Sequence, residues 1–166
     1  MDIIACVDTA LGIGNDNKLL YNIPEDMDFF KLMTNGKIVV MGSNTLESLP
    51  DGKPLPDRMN IVLTRDKTKK SKYNNLKYMN SVEEIVRYCE GKKCFCIGGE
   101  SVYRQFLPYC KRAYITHVLS KKPADSHFPC DLSLSQTWNE VYASSFHAYK
   151  NIIYQFRTYE NTHVKY

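Results

Sequence analysis

Residues 93–107 read KCFCIGGESVYRQFL, and the fold prediction rests on this stretch. The apolar, β-prone residues through Ile97 are typical of a buried strand, and the two glycines that follow end it. From Glu100 the pattern is helical, and Pro108 stops it. The same order of strand, glycine and helix recurs at residues 38–45 (IVVMGSNT), so the sequence predicts repeated strand–helix units.

The rest of the chain continues this alternation. Ser81 with Glu84 forms a capping box, and Pro24 followed by acidic residues is a favourable helix start. Alternating strands and helices predict a mainly parallel sheet, because parallel neighbours need crossover connections. We expect strands at 2–8, 37–41, 59–64, 76–79, 93–97 and 113–119, and helices at 24–33, after 44, from 81 to before 91, and at 99–107.

The tail departs from the pattern. Residues 141–148 and 152–159 are typical of two strands joined by the polar turn 149–151, which predicts a hairpin with antiparallel pairing. The predicted fold is a single α/β domain over residues 1–166. It has a central, mostly parallel twisted sheet of about eight strands with an antiparallel C-terminal edge, and about four helices on its two faces.

Composition excludes several classes of protein. The 166 residues are 43% hydrophobic and 24% charged, which argues against collagen-like, coiled-coil and disordered chains. The net charge of +4 permits nucleic acid as a partner without requiring it, and it suits a small anionic ligand equally well.

Targeting and cysteine patterns indicate a cytoplasmic protein. No apolar run approaches the roughly 18 residues needed to cross a bilayer, so we expect neither secretion nor a membrane partner. Six cysteines and four histidines include no CxxC and no HExxH, so we expect no metal and no disulfide framework. Cys94 and Cys96 alternate within a strand, which predicts reduced thiols buried on one face.

Two glycine sites are candidates for phosphate binding. Gly42 and the pair Gly98-Gly99 each lie between a strand and a helix start, where backbone N–H groups favour an anion. A single such site is usually an ordinary turn, but two in one domain favour a dinucleotide. Thr64-Arg65 adds a hydroxyl and a cation at the end of a third strand. Residues 12–17 lack the third glycine of GxGxxG, and we interpret them as a loop that could act as a lid.

Asp26 is the candidate acidic group. Helical spacing places it on one stripe with Phe29, Phe30 and Met33, where a carboxylate would be desolvated and its pKa raised. The alternative, a first-turn aspartate facing water, has equal weight from the pattern alone.

Arg58 follows a proline-stiffened loop, where its guanidinium could bind the carboxylate of a ligand or merely cap an element of the fold. His117 and His127 could be bases, but no spacing pairs them, and we favour ordinary strand and loop residues.

Taken in order over nearly the whole chain, these segments resemble the dihydrofolate reductase family. The matching segments are Ile13-Gly14 with residues 16–19, residues 23–26 with Phe30-Lys31, residues 40–42 with Thr45 and Glu47-Ser48, residues 54–56 with 58–60, residues 63–65, residues 97–99 with Val102-Tyr103, residues 114–116, and Asp125 with residues 127–129.

The resemblance implies NADPH-dependent reduction of 7,8-dihydrofolate to tetrahydrofolate for one-carbon metabolism, antifolate inhibitors as ligands, and a monomer. Asp26 matches the family's acidic group in the pterin pocket, and Thr116 matches the threonine bonded to it. Arg58 matches the arginine that grips the glutamate α-carboxylate of the substrate. The remaining implied substrate residues are Ile4, Ala5, Met27, Phe30, Ser48, Leu49, Leu55 and Ile97.

The implied cofactor site is larger, and it includes an adenosine-binding subdomain at about residues 38–91. Its residues are Cys6, Ile13, Gly14, Asn17, Leu19, Gly42, Ser43, Asn44, Thr45, Leu63, Thr64, Arg65, Ile97, Gly98, Gly99, Glu100, Ser101, Val102 and Tyr103.

Two departures from the family pattern matter. Leu20-Tyr21 stands where the family usually has Pro-Trp, and Tyr21 is expected at the catalytic centre in place of that tryptophan. Ser43 and Asn44 follow Gly42 where arginine is common, so preference for NADPH over NADH would rest more on Arg65 and on the lysines of residues 67–72. Alternatives are another nicotinamide-dependent pteridine or pyrimidine reductase of this fold, and a non-enzymatic basic binding domain based on the lysine run 67–72.

Overall fold

The computed structural model describes all 166 residues. Its strands are β1 (Asp2–Val7), β2 (Gly12–Asn15), β3 (Lys18–Leu19), β4 (Ile38–Gly42), β5 (Met59–Leu63), β6 (Leu76–Met79), β7 (Cys94–Gly98), β8 (Arg112–Val118), β9 (Ser126–His127), β10 (Trp138–Ala143), β11 (His147–Tyr149) and β12 (Ile152–Asn161). Its α-helices are α1 (Pro24–Thr34), α2 (Ser43–Ser48), α3 (Val82–Cys89) and α4 (Glu100–Phe106).

The main sheet runs in the order β10-β12-β8-β1-β7-β4-β5-β6, and β11 also pairs with β12. Six neighbouring strands of this sheet are parallel to one another: β8, β1, β7, β4, β5 and β6. Strand β12 pairs antiparallel with β8 on one side and with β10 on the other. This mixed sheet confirms the predicted fold class. The carboxyl ends of the parallel strands meet at one edge, where the connecting helices begin.

The central strands are buried on both faces, as continuous apolar runs in parallel sheets require. Val40 packs in the larger core with residues of α3 and α4, whereas Val39 and Met41 pack on the opposite face with Leu46 of α2. Cys94 and Cys96 are buried together in the larger core, and all six cysteines are free.

The helix limits follow from local chemistry. The hydroxyl oxygen of Ser81 accepts a hydrogen bond from the Glu84 N–H at 3.1 Å, which caps α3 as predicted. Pro24 occupies the first turn of α1, and α4 ends in a 3-10 turn that contains Pro108.

The prediction of one strand over residues 141–148 was wrong. The structure divides this region into β10 and β11, because the Ser144 hydroxyl accepts the Phe156 N–H at 3.0 Å and interrupts the strand ladder. The hairpin turn at residues 149–151 is present, and Lys150 adopts a φ of 52°.

The segment from Gly12 to Ile23, which we call the lid segment, is more ordered than a loop. Its strands β2 and β3 form a hairpin, and β9 pairs with β2. Asp16 and Asn17 form the two-residue turn with φ of 49° and 57°, the left-handed conformation that hairpin turns of this length require. The aspartate and asparagine were the available signal for this hairpin.

Candidate active site

A cleft of about 1150 Å³ lies at the carboxyl ends of β4, β5 and β7. The lid segment forms one wall, and the first turns of α2 and α4 form others. The sequence analysis implied nineteen cofactor residues, and every one of them except Gly98 lines this cleft. The cleft also contains residues that the analysis missed, among them Asn80 to Glu83, Lys18, Gln105 and Ser126. Residues 80–83 follow β6 as the predicted sites follow β4 and β7, but no glycine marks that junction.

Two glycines allow chain segments to pack closely beside the cleft. A Cβ on Gly42 would lie 3.1 Å from Val102 Cγ2, so a side chain there would push α4 away from β4. Gly98 has a φ of +109°, and a Cβ there would lie 3.0 Å from the Tyr103 ring. The first-turn N–H groups of α2 and α4 have no partners within their helices, so they can bind an anion in the cleft.

Asp26 and Thr116 come together although 90 positions separate them. Asp26 lies in the first turn of α1, Thr116 lies on β8, and the threonine hydroxyl donates to Asp26 Oδ1 at 2.6 Å. Burial raises the pKa of the Asp26 carboxyl, while hydrogen bonds from Thr116 and the Cys6 thiol oppose that shift. Asp28, two residues further, is exposed. The structure therefore favours the inward-facing interpretation of Asp26.

Arg58 is held by backbone and side-chain oxygens at the far end of α1. Its Nε donates to the Pro56 carbonyl at 2.8 Å and its Nη1 to Thr34 Oγ1 at 3.1 Å, and only 7% of the residue is exposed. Burial lowers the pKa of the guanidinium, and Asp57 opposes that effect. These bonds leave Nη2 with donors for a ligand carboxylate.

Asn60, which the sequence analysis missed, fixes the loop before Arg58. Its side chain accepts from the Leu55 N–H and donates to the Leu55 and Arg58 carbonyls, all within 3.1 Å. Buried asparagines that satisfy backbone groups carry no distinctive sequence signal.

The family model described as dihydrofolate reductase matches residues 1–161. The chain belongs to the dihydrofolate reductase family. Its activity is the NADPH-dependent reduction of dihydrofolate to tetrahydrofolate, a step of one-carbon metabolism. This assignment removes both alternatives, the related reductase and the basic binding domain.

Similar proteins cover most of this chain. The dihydrofolate reductase of Bacillus subtilis is 35% identical over 130 residues, which are 78% of this chain and 75% of that protein. That of Buchnera aphidicola subsp. Schizaphis graminum is 31% identical over 157 residues, 94% of each chain. A solved structure of dihydrofolate reductase from Enterococcus faecalis, complexed with NADP(H) and RAB-propyl, has a TM-score of 0.85 at 29% identity and covers 96% of this chain and 95% of that one.

The remaining substrate residues implied by this family resemblance differ in burial. Ile4 and Ala5 are buried in β1, Leu49, Leu55 and Ile97 are half-buried and pack against the smaller core that contains Val39 and Met41, Phe30 is half-buried, and Met27 and Ser48 are exposed. Ser48 lines the cofactor cleft.

Three other polar residues that the sequence analysis considered make contacts within the protein. The Tyr21 hydroxyl donates to Asp8 at 3.3 Å, and Tyr21, like Asp26 and Thr116, is not among the residues that line the cofactor cleft. His117 bonds to the Tyr159 hydroxyl at 3.0 Å, and burial with nearby Arg157 lowers its pKa to about 4. The His127 N–H donates to Glu100, so this residue links β9 to α4. These contacts fit the ordinary structural interpretation of both histidines.

No helix in the structure combines the length and apolarity needed to cross a membrane.

Proposed function

We propose that NADPH binds along the cleft and that dihydrofolate binds between Asp26 and Arg58, with hydride transfer to carbon 6 of the pterin and protonation of nitrogen 5. The contact between Asp26 and Thr116 carries the proposal, since it presents a single half-buried carboxylate beside a dinucleotide-sized cleft. NADPH supplies the hydride.

Asp26 orients and polarises the pterin. Thr116 uses one lone pair of Oδ1, so the carboxylate keeps acceptor sites for the 2-amino group and nitrogen 3 of the ring. A carboxylate in this position draws positive charge toward the ring, which makes nitrogen 5 a better acceptor for a proton from water. Because burial raises the pKa of Asp26, the carboxyl takes up a proton more readily than an exposed aspartate would.

Arg58 binds the glutamate α-carboxylate through its remaining donors, in the planar geometry that a guanidinium offers. Phe30, Leu49 and Leu55 form the apolar slot for the aryl group between the two charged ends. Ile4, Ala5 and Ile97 line the pterin end.

The residues of the cleft fit NADPH. Gly42 and Gly99 line the cleft at the starts of α2 and α4, where backbone N–H groups favour a pyrophosphate, and Arg65 supplies a cation for the 2′-phosphate at the end of β5. The adenosine-binding part then corresponds to residues 38–91. The Tyr103 hydroxyl donates to the Ile4 carbonyl at 2.9 Å, which fixes its ring as a wall beside the nicotinamide.

The family resemblance supports a monomeric enzyme. The six free cysteines fit the reducing conditions of the cytoplasm. The same pterin pocket accommodates antifolates that present a protonated ring to Asp26.

The test is the loss of absorbance at 340 nm when protein, NADPH and dihydrofolate are mixed, with Asp26→Asn as the variant. Asp26→Asn removes the charge, so we expect hydride transfer at neutral pH to fall by about 100-fold or more while NADPH affinity changes little. Asp28→Asn is the matched control, because it makes the same change on the exposed side of α1. An equal loss of hydride transfer and NADPH affinity would show that Asp26 is structural.

A further inference from the structure

Three segments meet at a buried carboxylate at the end of β1. Asp8 is 3% exposed. Its Oδ1 accepts the N–H groups of Ala10 at 2.9 Å and Gly12 at 2.8 Å. Its Oδ2 accepts the Tyr21 hydroxyl at 3.3 Å and the Lys122 N–H at 3.1 Å. Gly12 begins the lid segment and Tyr21 lies near its end, so one carboxylate contacts both ends of the lid.

Lys122 adds a second hold on the far end of the lid. Its Nζ donates to the Leu20 carbonyl at 2.9 Å and lies 4.5 Å from the centre of the Tyr21 ring. Its N–H is bound to Asp8, so the residue contacts Asp8, Leu20 and Tyr21 at once. Thr9 connects the same two loops through bonds from its N–H and its hydroxyl to the Ser120 carbonyl.

We propose that Asp8 and Lys122 are positioning residues that clasp the two ends of the lid segment and thereby hold its cleft-lining residues against NADPH. Ile13, Gly14, Asn17 and Leu19 lie between the clasped ends and line the cleft. Fixing both ends of a short hairpin restricts the motion of the residues between them. Leu20 stands where the family usually has proline, and here the Lys122 side chain restrains this backbone position from outside.

The ionisation of Asp8 supports the clasp. Burial acts to raise the pKa of its carboxyl, but hydrogen bonds from Lys122, Gly12, Ala10 and Tyr21 outweigh burial and lower it. The ionised carboxylate offers acceptors to all four donors. This role also accounts for the hydrogen bond that the Tyr21 hydroxyl donates to Asp8.

Lys122→Met tests the proposal, because methionine keeps much of the side-chain length and loses both the hydrogen bond to Leu20 and the charge over Tyr21. Lys121→Met is the matched control, since Lys121 is exposed and takes part in neither contact. Lys122→Arg is the conservative variant, because a guanidinium can both donate to a carbonyl and stack on an aromatic ring. Tyr21→Phe removes only the hydroxyl bond to Asp8.

Three readouts separate a clasp from a merely structural contact: amide hydrogen exchange of residues 12–21, the NADPH dissociation rate, and the KM for dihydrofolate. For Lys122→Met we expect exchange and NADPH dissociation to accelerate roughly three- to tenfold, the effect of about one hydrogen bond, with KM for dihydrofolate within about twofold. Lys122→Arg should restore both rates, and Tyr21→Phe should change them in the same direction as Lys122→Met.

The proposal is overturned if Lys122→Met lowers the melting temperature but leaves lid exchange and NADPH dissociation equal to those of Lys121→Met. It rests on NADPH binding in the cleft, as proposed above, and wild-type NADPH binding and turnover are therefore measured first. Hydrogen exchange of the lid does not depend on turnover, so absent activity in the wild type would refute the proposed function without deciding the clasp.

Discussion

Replacing Thr116 with valine isolates the short hydrogen bond from its hydroxyl to the Asp26 carboxylate. Valine matches threonine in shape, so the change removes the hydroxyl and little else. The bond is 2.6 Å long and Thr116 is 2% exposed, so water does not replace the lost donor. A hydrogen bond to a charged group is worth about 1.5–3 kcal/mol, which corresponds to about one to two pKa units.

The direction of the shift follows from which form the hydroxyl stabilises. Thr116 donates to the ionised carboxylate and so lowers the pKa of Asp26, opposing the larger effect of burial. Without the donor the pKa of Asp26 rises further. The ionised form is then less stable in the folded protein, so Thr116→Val costs folding stability at neutral pH and much less below about pH 4, where aspartate is protonated in the unfolded chain.

The assay is a pH titration of the carboxyl carbon of Asp26 by 13C NMR, with the pH dependence of single-turnover hydride transfer measured beside it. Both midpoints should move to higher pH in Thr116→Val. Thr116→Ser keeps the hydroxyl and should stay close to the wild type. An unchanged or lower pKa in the valine variant would refute the reasoning, because it would mean that the hydroxyl does not stabilise the charge.

Two further substitutions test the cationic groups of the site. Arg58→Lys keeps the charge but loses the planar pair of donors, so the KM for dihydrofolate should rise roughly tenfold or more while NADPH affinity, measured by fluorescence titration, stays constant. An equal weakening of dihydrofolate and NADPH binding would contradict the assignment of Arg58 to the substrate carboxylate. Arg65→Gln removes the cation at the end of β5, so the ratio of kcat/KM for NADPH to that for NADH should fall about tenfold. An unchanged ratio would mean that other residues select NADPH over NADH.

The main sheet was predictable because its signals are local. Apolar runs such as residues 38–41 must be buried on both faces, and the glycines that follow them mark where each strand ends. Because the carboxyl ends of parallel strands share one edge, the two glycine sites and Thr64-Arg65 were expected at the same edge, and Gly42, Gly99, Thr64 and Arg65 line one cleft. Helical spacing also put Asp26 on one stripe with Phe29, Phe30 and Met33, though it could not decide between burial and exposure of the carboxylate.

Contacts between distant segments were not predictable in the same way. Asp8 was included at the end of a strand prediction, and nothing in its neighbours indicates that it accepts hydrogen bonds from Lys122, more than 100 positions away. The division of β10 from β11 depends on the Ser144 hydroxyl taking a ladder position opposite Phe156. In both cases a side chain replaces a backbone partner, and such replacement is decided by the packed structure and not by local propensity.

The polar nature of the clasp follows from what a reductase lid has to do. The lid must exclude water while hydride is transferred, yet it must open for the cofactor to exchange and for a proton to reach nitrogen 5. Hydrogen bonds contribute about 1 kcal/mol each, so the bonds from Tyr21 and Lys122 together favour closure by roughly 10- to 100-fold and still permit frequent opening. Lys122 is exposed, so its contacts can open from the surface, whereas opening at Tyr21 also withdraws a ring that packs in a buried apolar cluster with Ile23 and Val118.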